Sequence, residues 1–136
     1  MQYRNRGVTL IELMVVMIVI GILGAIAYPS YRQYLMRGGR SEAKTLLMQQ
    51  AQALEKCFTR YGRYNDNVNC AATTQVINGV RYRVGPAAAG DILATTFVLT
   101  AVRQGPQAGD AACGNFTLDD RNVRNVTGPD GAQACW

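Results

Sequence analysis

The residues of this sequence that could do chemistry are few. A single carboxylate, Glu12, sits inside the apolar run Val8–Tyr28 (VTLIELMVVMIVIGILGAIAY), which is otherwise interrupted only by Thr9. A carboxylate at such a depth costs ~2.5–3.5 kcal/mol on membrane-insertion scales, and an ionisable group in such a segment is functional by default. Four cysteines follow the run: Cys57, Cys70, Cys113 and Cys135. None of their spacings is C-x-x-C, which argues against a redox motif or a zinc site. The 136 residues include no histidine, so His-based triads, His-ligated metals and imidazole bases are excluded. Ser41-Glu42-Ala43-Lys44 spells S-x-x-K, but the companion S-D-N and K-T-G motifs are missing, and it reads as a solvated helix turn. Asp119-Asp120 and Asp130 invite a calcium reading, yet Asx-rich turns serve capping and solvation far more often. The expectation is a protein with no catalytic site, no cofactor and no metal.

Glu12 asks for a partner. Cutting the chain after Gly7 would leave Val8 with a free amine about one helical turn away, and a neighbouring copy would offer the same amine. In a low-dielectric medium such a pair is favourable relative to leaving either charge alone. A secretory signal with Ala25-Ile26-Ala27 as its cleavage site is the rival reading, and would release a soluble binding module or enzyme. An uncut signal anchor is another. Neither gives Glu12 a role.

The elements that position these residues follow from patterning. As a helix, Val8–Tyr28 is ~32 Å long, enough to cross a hydrocarbon core. The leader MQYRNRG carries Arg4 and Arg6, so its end faces the cytoplasm and the rest of the chain lies outside. Removing that leader lowers the formal charge from +5 to +3, a balance that permits nucleic-acid contact without demanding it. Pro29, with Gly21 and Gly24 upstream, favours a kink. Beyond it, Leu47, Ala51, Leu54 and Phe58 form one apolar helix face, with Gln49, Gln50, Gln52, Glu55 and Lys56 opposite. Gly38-Gly39 marks a soft spot between the halves.

Strands are expected in Gln75–Val84, around a type I′ turn at Asn78-Gly79, in Ala94–Val102 and in Asn115–Asp119. A long helix followed by antiparallel strands makes an α+β fold with three or four strands. The segments are a leader at 1–7, an apolar helix at 8–28, an amphipathic helix at 29–60 and a sheet with a C-terminal loop at 61–136. All four cysteines fall on the disulfide-permissive side. Three pairings are open to them. The sequential one, Cys57–Cys70 with Cys113–Cys135, is favoured and closes loops of about a dozen and about two dozen residues, each worth roughly 3 kcal/mol by chain entropy.

Gly7-Val8-Thr9-Leu10-Ile11-Glu12 resembles the type IV prepilin cleavage motif, with Val8 where that family usually has Phe. The resemblance continues through Gly21, Pro29, Tyr31 and Tyr34. Cys113-Gly114-Asn115-Phe116-Thr117-Leu118 and the terminal Cys135-Trp136 are similar to the disulfide-bounded C-terminal loop of type IV pilins, closest to the small PilE-type minor pilins. The resemblance implies cleavage between Gly7 and Val8 by prepilin peptidase and N-methylation of Val8. It also implies filament assembly through Glu12, and bending or melting of the helix around Gly21 and Pro29. The expected location is the inner membrane, single-pass with the C-terminus periplasmic, and then the extracellular fibre. The implied partners are other pilins, major and minor, and the inner-membrane assembly machinery. Twitching motility, adhesion and DNA uptake are the family-level roles. A minor pilin is the expectation, with a major pilin or a type II secretion pseudopilin as alternatives.

Overall fold

The computed structural model describes residues 7–66, 68–70, 77–88 and 90–136. Most of the expected leader, and Gln75 and Val76 of the first expected strand, therefore lie outside the described residues. Helix α1 runs over Leu10–Tyr61 without a break, through Gly21, Gly24 and Pro29. Two compact units divide the chain, one ending at Leu35 and the other beginning at Met36. In the first, every large apolar side chain from Val8 to Tyr28 is 48–76 % exposed.

In the second unit, the buried residues of α1 are Gly39, Ala43, Leu47, Gln50, Leu54 and Cys57, one stripe at helical spacing. Leu47 and Leu54 are fully buried as expected, while Ala51 and Phe58 pack at the edge of the core. Gln50, expected on the polar face, is buried instead. The spacing that buries Leu47 and Leu54 also turns position 50 inward, and periodicity outweighs polarity there.

The strands are β1 (Ile77–Asn78), β2 (Tyr82–Gly85), β3 (Val98–Arg103), β4 (Phe116–Asp119) and β5 (Arg124–Val126). They form one antiparallel meander in sequence order, five strands rather than three or four. The extra strand, β5, is three residues long and too short to show an alternation. Alternation is clear in the middle strands. Tyr82 and Val84, Leu99 and Ala101, and Phe116 and Leu118 point into the core beside Ala43, Leu47 and Leu54. Cross-strand pairs Leu99↔Leu118 and Ala101↔Phe116 stack that face in register.

The first hairpin turns later than expected. Ile77 pairs with Val84 and Asn78 with Arg83, and the Gly79 N–H bonds the Tyr82 carbonyl at 2.9 Å. The apex is therefore Val80-Arg81, and neither Asn78 nor Gly79 adopts the positive φ of a type I′ turn. Tertiary contacts explain the shift. The Arg81 N–H donates to Glu42 Oε1 of α1, and Gln104 Nε2 donates to the Gly79 carbonyl. A Cβ on Gly79 would lie 2.7 Å from Glu42 Oε1 and 2.7 Å from the Tyr82 carbonyl. Gly79 is there for close approach, not for turn geometry.

Gly39 has the same kind of reason and is no soft spot. A Cβ at that position would meet Gln107 Oε1 at 2.1 Å and Gln107 Cδ at 2.7 Å. Gln107, in the 3-10 turn Gly105–Gln107, is buried and cannot swing away cheaply. Its Nε2 donates to the Met36 carbonyl of α1 at 3.1 Å and to Asp110 Oδ2 at 2.8 Å. Asp110, 4 % exposed, also accepts two bonds from Arg40, from Nε and Nη2, each 2.8 Å. The Arg103 guanidinium donates to the Asp110 backbone carbonyl. Hydrogen bonding from Arg40 is the main cause that holds the Asp110 carboxyl below its ordinary range; burial opposes it, and Gln107 adds to it. The same bond raises Arg40.

Two measurements on the detergent-solubilised chain follow from this packing. Gly39→Ala should destabilise the globular unit by about 1–3 kcal/mol through overpacking. Helix propensity alone predicts a gain of up to about 1 kcal/mol, so a raised melting temperature refutes the close-approach account. Asp110→Asn should cost about 2–3 kcal/mol near neutral pH, below the usual range for a broken buried pair because Arg40 is partly exposed. The folded carboxyl sits below its unfolded value near ~3.9, so its stabilisation is complete above that pH and is lost as pH falls through the folded value. The gap between wild type and Asp110→Asn should therefore narrow in acid; parallel melting curves between pH 7 and pH 3 contradict it.

Candidate assembly site

Gly7 and Val8 lie just ahead of α1, and Glu12 lies in its first turn. Thr9 precedes the first helical residue, and its Oγ1 accepts the Glu12 N–H at 3.3 Å, while its carbonyl accepts the Leu13 N–H at 3.2 Å. This is one half of a capping box, T-x-x-E, with Glu12 at the third helical position. The box was legible in Thr9-Leu10-Ile11-Glu12, although the depth of Glu12 drew the reading toward intermolecular pairing instead. Glu12 in the first turn also complements the positive end of the helix dipole. Capping and dipole together are worth about 1–2 kcal/mol, less than the ~2.5–3.5 kcal/mol that a carboxylate costs in hydrocarbon. A local role alone does not offset that cost.

Upstream of the cap the backbone leaves the helix. Gly7 and Val8 are exposed and non-helical, and a Cβ on Gly7 would meet nothing within 4 Å. The Gly7–Val8 bond therefore lies in an exposed, non-helical segment just ahead of the helix start. Among the described residues the ion pairs are Arg40–Asp110 and Arg121–Asp119, and Glu12 belongs to neither. Glu12 is exposed and lies four residues after the one whose amine a cut at Gly7 would free.

Gly21 and Pro29 lie farther along the same helix. Pro29 brings no N–H, so the Ala25 carbonyl loses its ordinary donor, and Ser30 Oγ donates to the neighbouring Ile26 carbonyl at 3.3 Å. A Cβ on Gly21 or Gly24 would meet nothing within 4 Å. Packing within the chain thus explains Gly39 but not these two.

The cysteines pair sequentially. Cys57–Cys70 has Cα atoms 6.0 Å apart, and Cys113–Cys135 has them 5.7 Å apart. Cys135 ends the short helix α2 (Gly131–Cys135), which holds Trp136 against β5. The Trp136 indole N–H donates to the Asn125 carbonyl at 3.0 Å, its ring meets Phe116 edge-on at 5.7 Å, and the Arg124 guanidinium lies over it at 5.3 Å. Sequence reading found the Cys-Trp ending but not this docking.

Asp119 and Asp130 are engaged in other contacts. Asp119 Oδ1 accepts the backbone N–H groups of Arg121 and Val123, and its Oδ2 accepts Arg121 Nη2, so the carboxylate caps its own turn. Asp130 lies near Cys113 and Cys135, whose sulfurs are committed to the disulfide. Ser41 Oγ donates to the Arg37 carbonyl, an ordinary helix-surface contact, and burial lowers Lys44.

Comparison with known proteins gives consistent results. Residues 29–117 match the family described as "Type IV minor pilin ComP, DNA uptake sequence receptor", and residues 2–28 match the prokaryotic N-terminal methylation motif. The chain is 33% identical to the fimbrial protein EcpC of Eikenella corrodens over 85% of its own length and 81% of that protein's. It is 46% identical to the type IV major pilin PilA of Myxococcus xanthus over 65% of this chain, a match that spans only 40% of the Myxococcus protein. A type IV pilin structure from Shewanella oneidensis superposes with a TM-score of 0.52 at 31% identity, over 74% of this chain and 97% of that one. The minor pilin PilV of Neisseria meningitidis shares the fold with a TM-score of 0.54 at 21% identity, over 71% and 91% of the two chains. An apolar N-terminal helix, a helix-backed antiparallel meander and a disulfide-closed C-terminus thus agree with every comparison, and the chain belongs to the type IV pilin family.

Proposed function

We propose that this pilin is a non-catalytic structural subunit of a type IV pilus, and a minor rather than a major one. The observation that carries the reading is the exposure of the large apolar residues from Val8 to Tyr28, each 48–76 % exposed among the described residues. Fully burying a Leu, Ile, Val or Met side chain stabilises by about 1.5–3 kcal/mol, so this surface must be covered by lipid or by neighbouring helices. Prepilin peptidase cuts the open Gly7–Val8 bond and methylates the Val8 amine. The chain waits in the inner membrane with its C-terminus in the periplasm until the assembly machinery passes it into the fibre among other pilins. There Glu12 pairs with the Val8 amine of a neighbour, and the helix bends or melts around Gly21 and Pro29. The description of the matching family supports the minor assignment, while several relatives are major pilins.

Intact masses from membranes and from sheared fibres test this. The expected chain begins at methylated Val8 and is sparse in fibres; dominance there makes it a major pilin, and a start at Tyr28 refutes retention of the helix. Glu12→Ala should remain in the membrane fraction and disappear from fibres. Incorporation at the wild-type level would sink the charge pairing.

A second reading concerns DNA, because the matching family is described as a DNA uptake sequence receptor. Residues 36–136 carry 11 Lys+Arg against 8 Asp+Glu, a net charge of +3. Binding of duplex DNA by the processed chain should weaken steeply as salt rises, since phosphate contacts release counterions. A mobility-shift titration without salt-sensitive binding removes this reading and leaves the filament role untouched.

A further inference from the structure

Three tyrosines follow the apolar run at a spacing of three residues, and the globular core uses none of them. Tyr28, Tyr31 and Tyr34 lie on α1 and are 66, 62 and 73 % exposed. At 100° per residue they share one side of the helix within about 120°. Among the described residues, their hydroxyls make no hydrogen bond. Arg32, also exposed, stands among them. A tyrosine has an apolar body and a polar tip, and a cluster of three beside a cation suits a boundary between hydrocarbon and water.

Length places them at such a boundary. Residues 10–27 of α1 span about 27 Å, and with Val8 and Thr9 ahead of them the run reaches the roughly 30 Å thickness of a bilayer's hydrocarbon core. The stretch from Tyr28 to Tyr34 adds about 9 Å, and the headgroup zone of one leaflet is about 5–8 Å deep. With the Val8 end at the cytoplasmic boundary, Tyr28 meets the outer edge of the hydrocarbon, Tyr31 falls in the headgroup zone where Tyr is enriched in membrane helices, and Tyr34 stands at that zone's outer limit, its side chain tilted back toward the helix N-terminus.

We propose that Tyr28, Tyr31 and Tyr34, together with Arg32, form an interfacial anchor for the phospholipid headgroups of the outer leaflet of the inner membrane. The rings lie at the level of the acyl esters, the hydroxyls and the guanidinium reach the phosphates, and the collar sets the depth at which the subunit waits before assembly. This rests on the proposed membrane residence of residues 8–28 and adds the groups that fix its outer end.

Fluorescence depth measurement tests it on the full chain reconstituted in phospholipid vesicles. The protein contains one tryptophan, Trp136, so the wild type supplies the background signal. Tyr31→Trp should add an emission that is blue-shifted and quenched most by lipids brominated close to the headgroup. Val19→Trp, in the middle of the run, should be quenched most by lipids brominated near the chain ends. Loss of Tyr31→Trp emission chiefly to the deep bromines, or no loss while Val19→Trp is quenched, overturns the collar and leaves the membrane reading standing. The unquenched result would mean that the tyrosines lie in water beyond the headgroups or under a second copy. If Val19→Trp also escapes quenching, the membrane reading falls and the collar with it.

Discussion

The globular unit is organised around one buried carboxylate. Asp110 takes two hydrogen bonds from Arg40 on the helix and one from the side chain of Gln107, while its backbone carbonyl receives Arg103 at the end of β3. Gln107 in turn reaches back to the Met36 carbonyl. A buried charge is tolerated only when paired and hydrogen-bonded, so each of these groups must be in place for the others to be. The helix, the 3-10 turn and the loop leading to Cys113 therefore share a single geometry. Gly39 belongs to the same arrangement, because the space its missing side chain leaves is where Gln107 sits.

Features governed by local patterning were legible in the sequence. The apolar run, the stripe through Leu47 and Leu54, the alternation in β3 and β4 and the sequential cysteine pairs each depend on residues close in the chain. The helix start just after Val8, with Glu12 in its first turn, depends on neighbours in the chain in the same way. What stayed hidden depends on distant partners. Arg40 and Asp110 are 70 residues apart, and nothing in either neighbourhood marks the pair. Asn78-Gly79 carries the strongest turn signal in the chain, yet Glu42 and Gln104 move the apex to Val80-Arg81. Gln50 shows the same override of polarity by periodicity. The capping box at Thr9 was visible but outweighed by a more conspicuous feature of the same residue.

Glycine has two uses in the one helix. Gly39 admits a neighbouring side chain of the same molecule, whereas Gly21 and Gly24 face empty space in the isolated chain. The contrast matches the division into two units, one satisfied by its own sheet and the other exposing its whole apolar surface. In the family to which this chain belongs, a subunit is complete only in company, and the second unit must stay folded whatever surrounds the first.

The positions of Arg40 and Cys57 on α1 give the globular unit a defined load path. On its N-terminal side the helix is tied to the rest of the unit at Met36, by Gln107, and at Arg40, by Asp110, and through them to the loop that Cys113 closes. Near the far end of the helix, Cys57 is joined covalently to Cys70, so force bypasses residues 58–69 and cannot strip them from the fold. Cys113–Cys135 does the same for the C-terminal loop and keeps Trp136 seated on β5. Mechanically, the unit is a non-covalent clamp backed by two covalent stops.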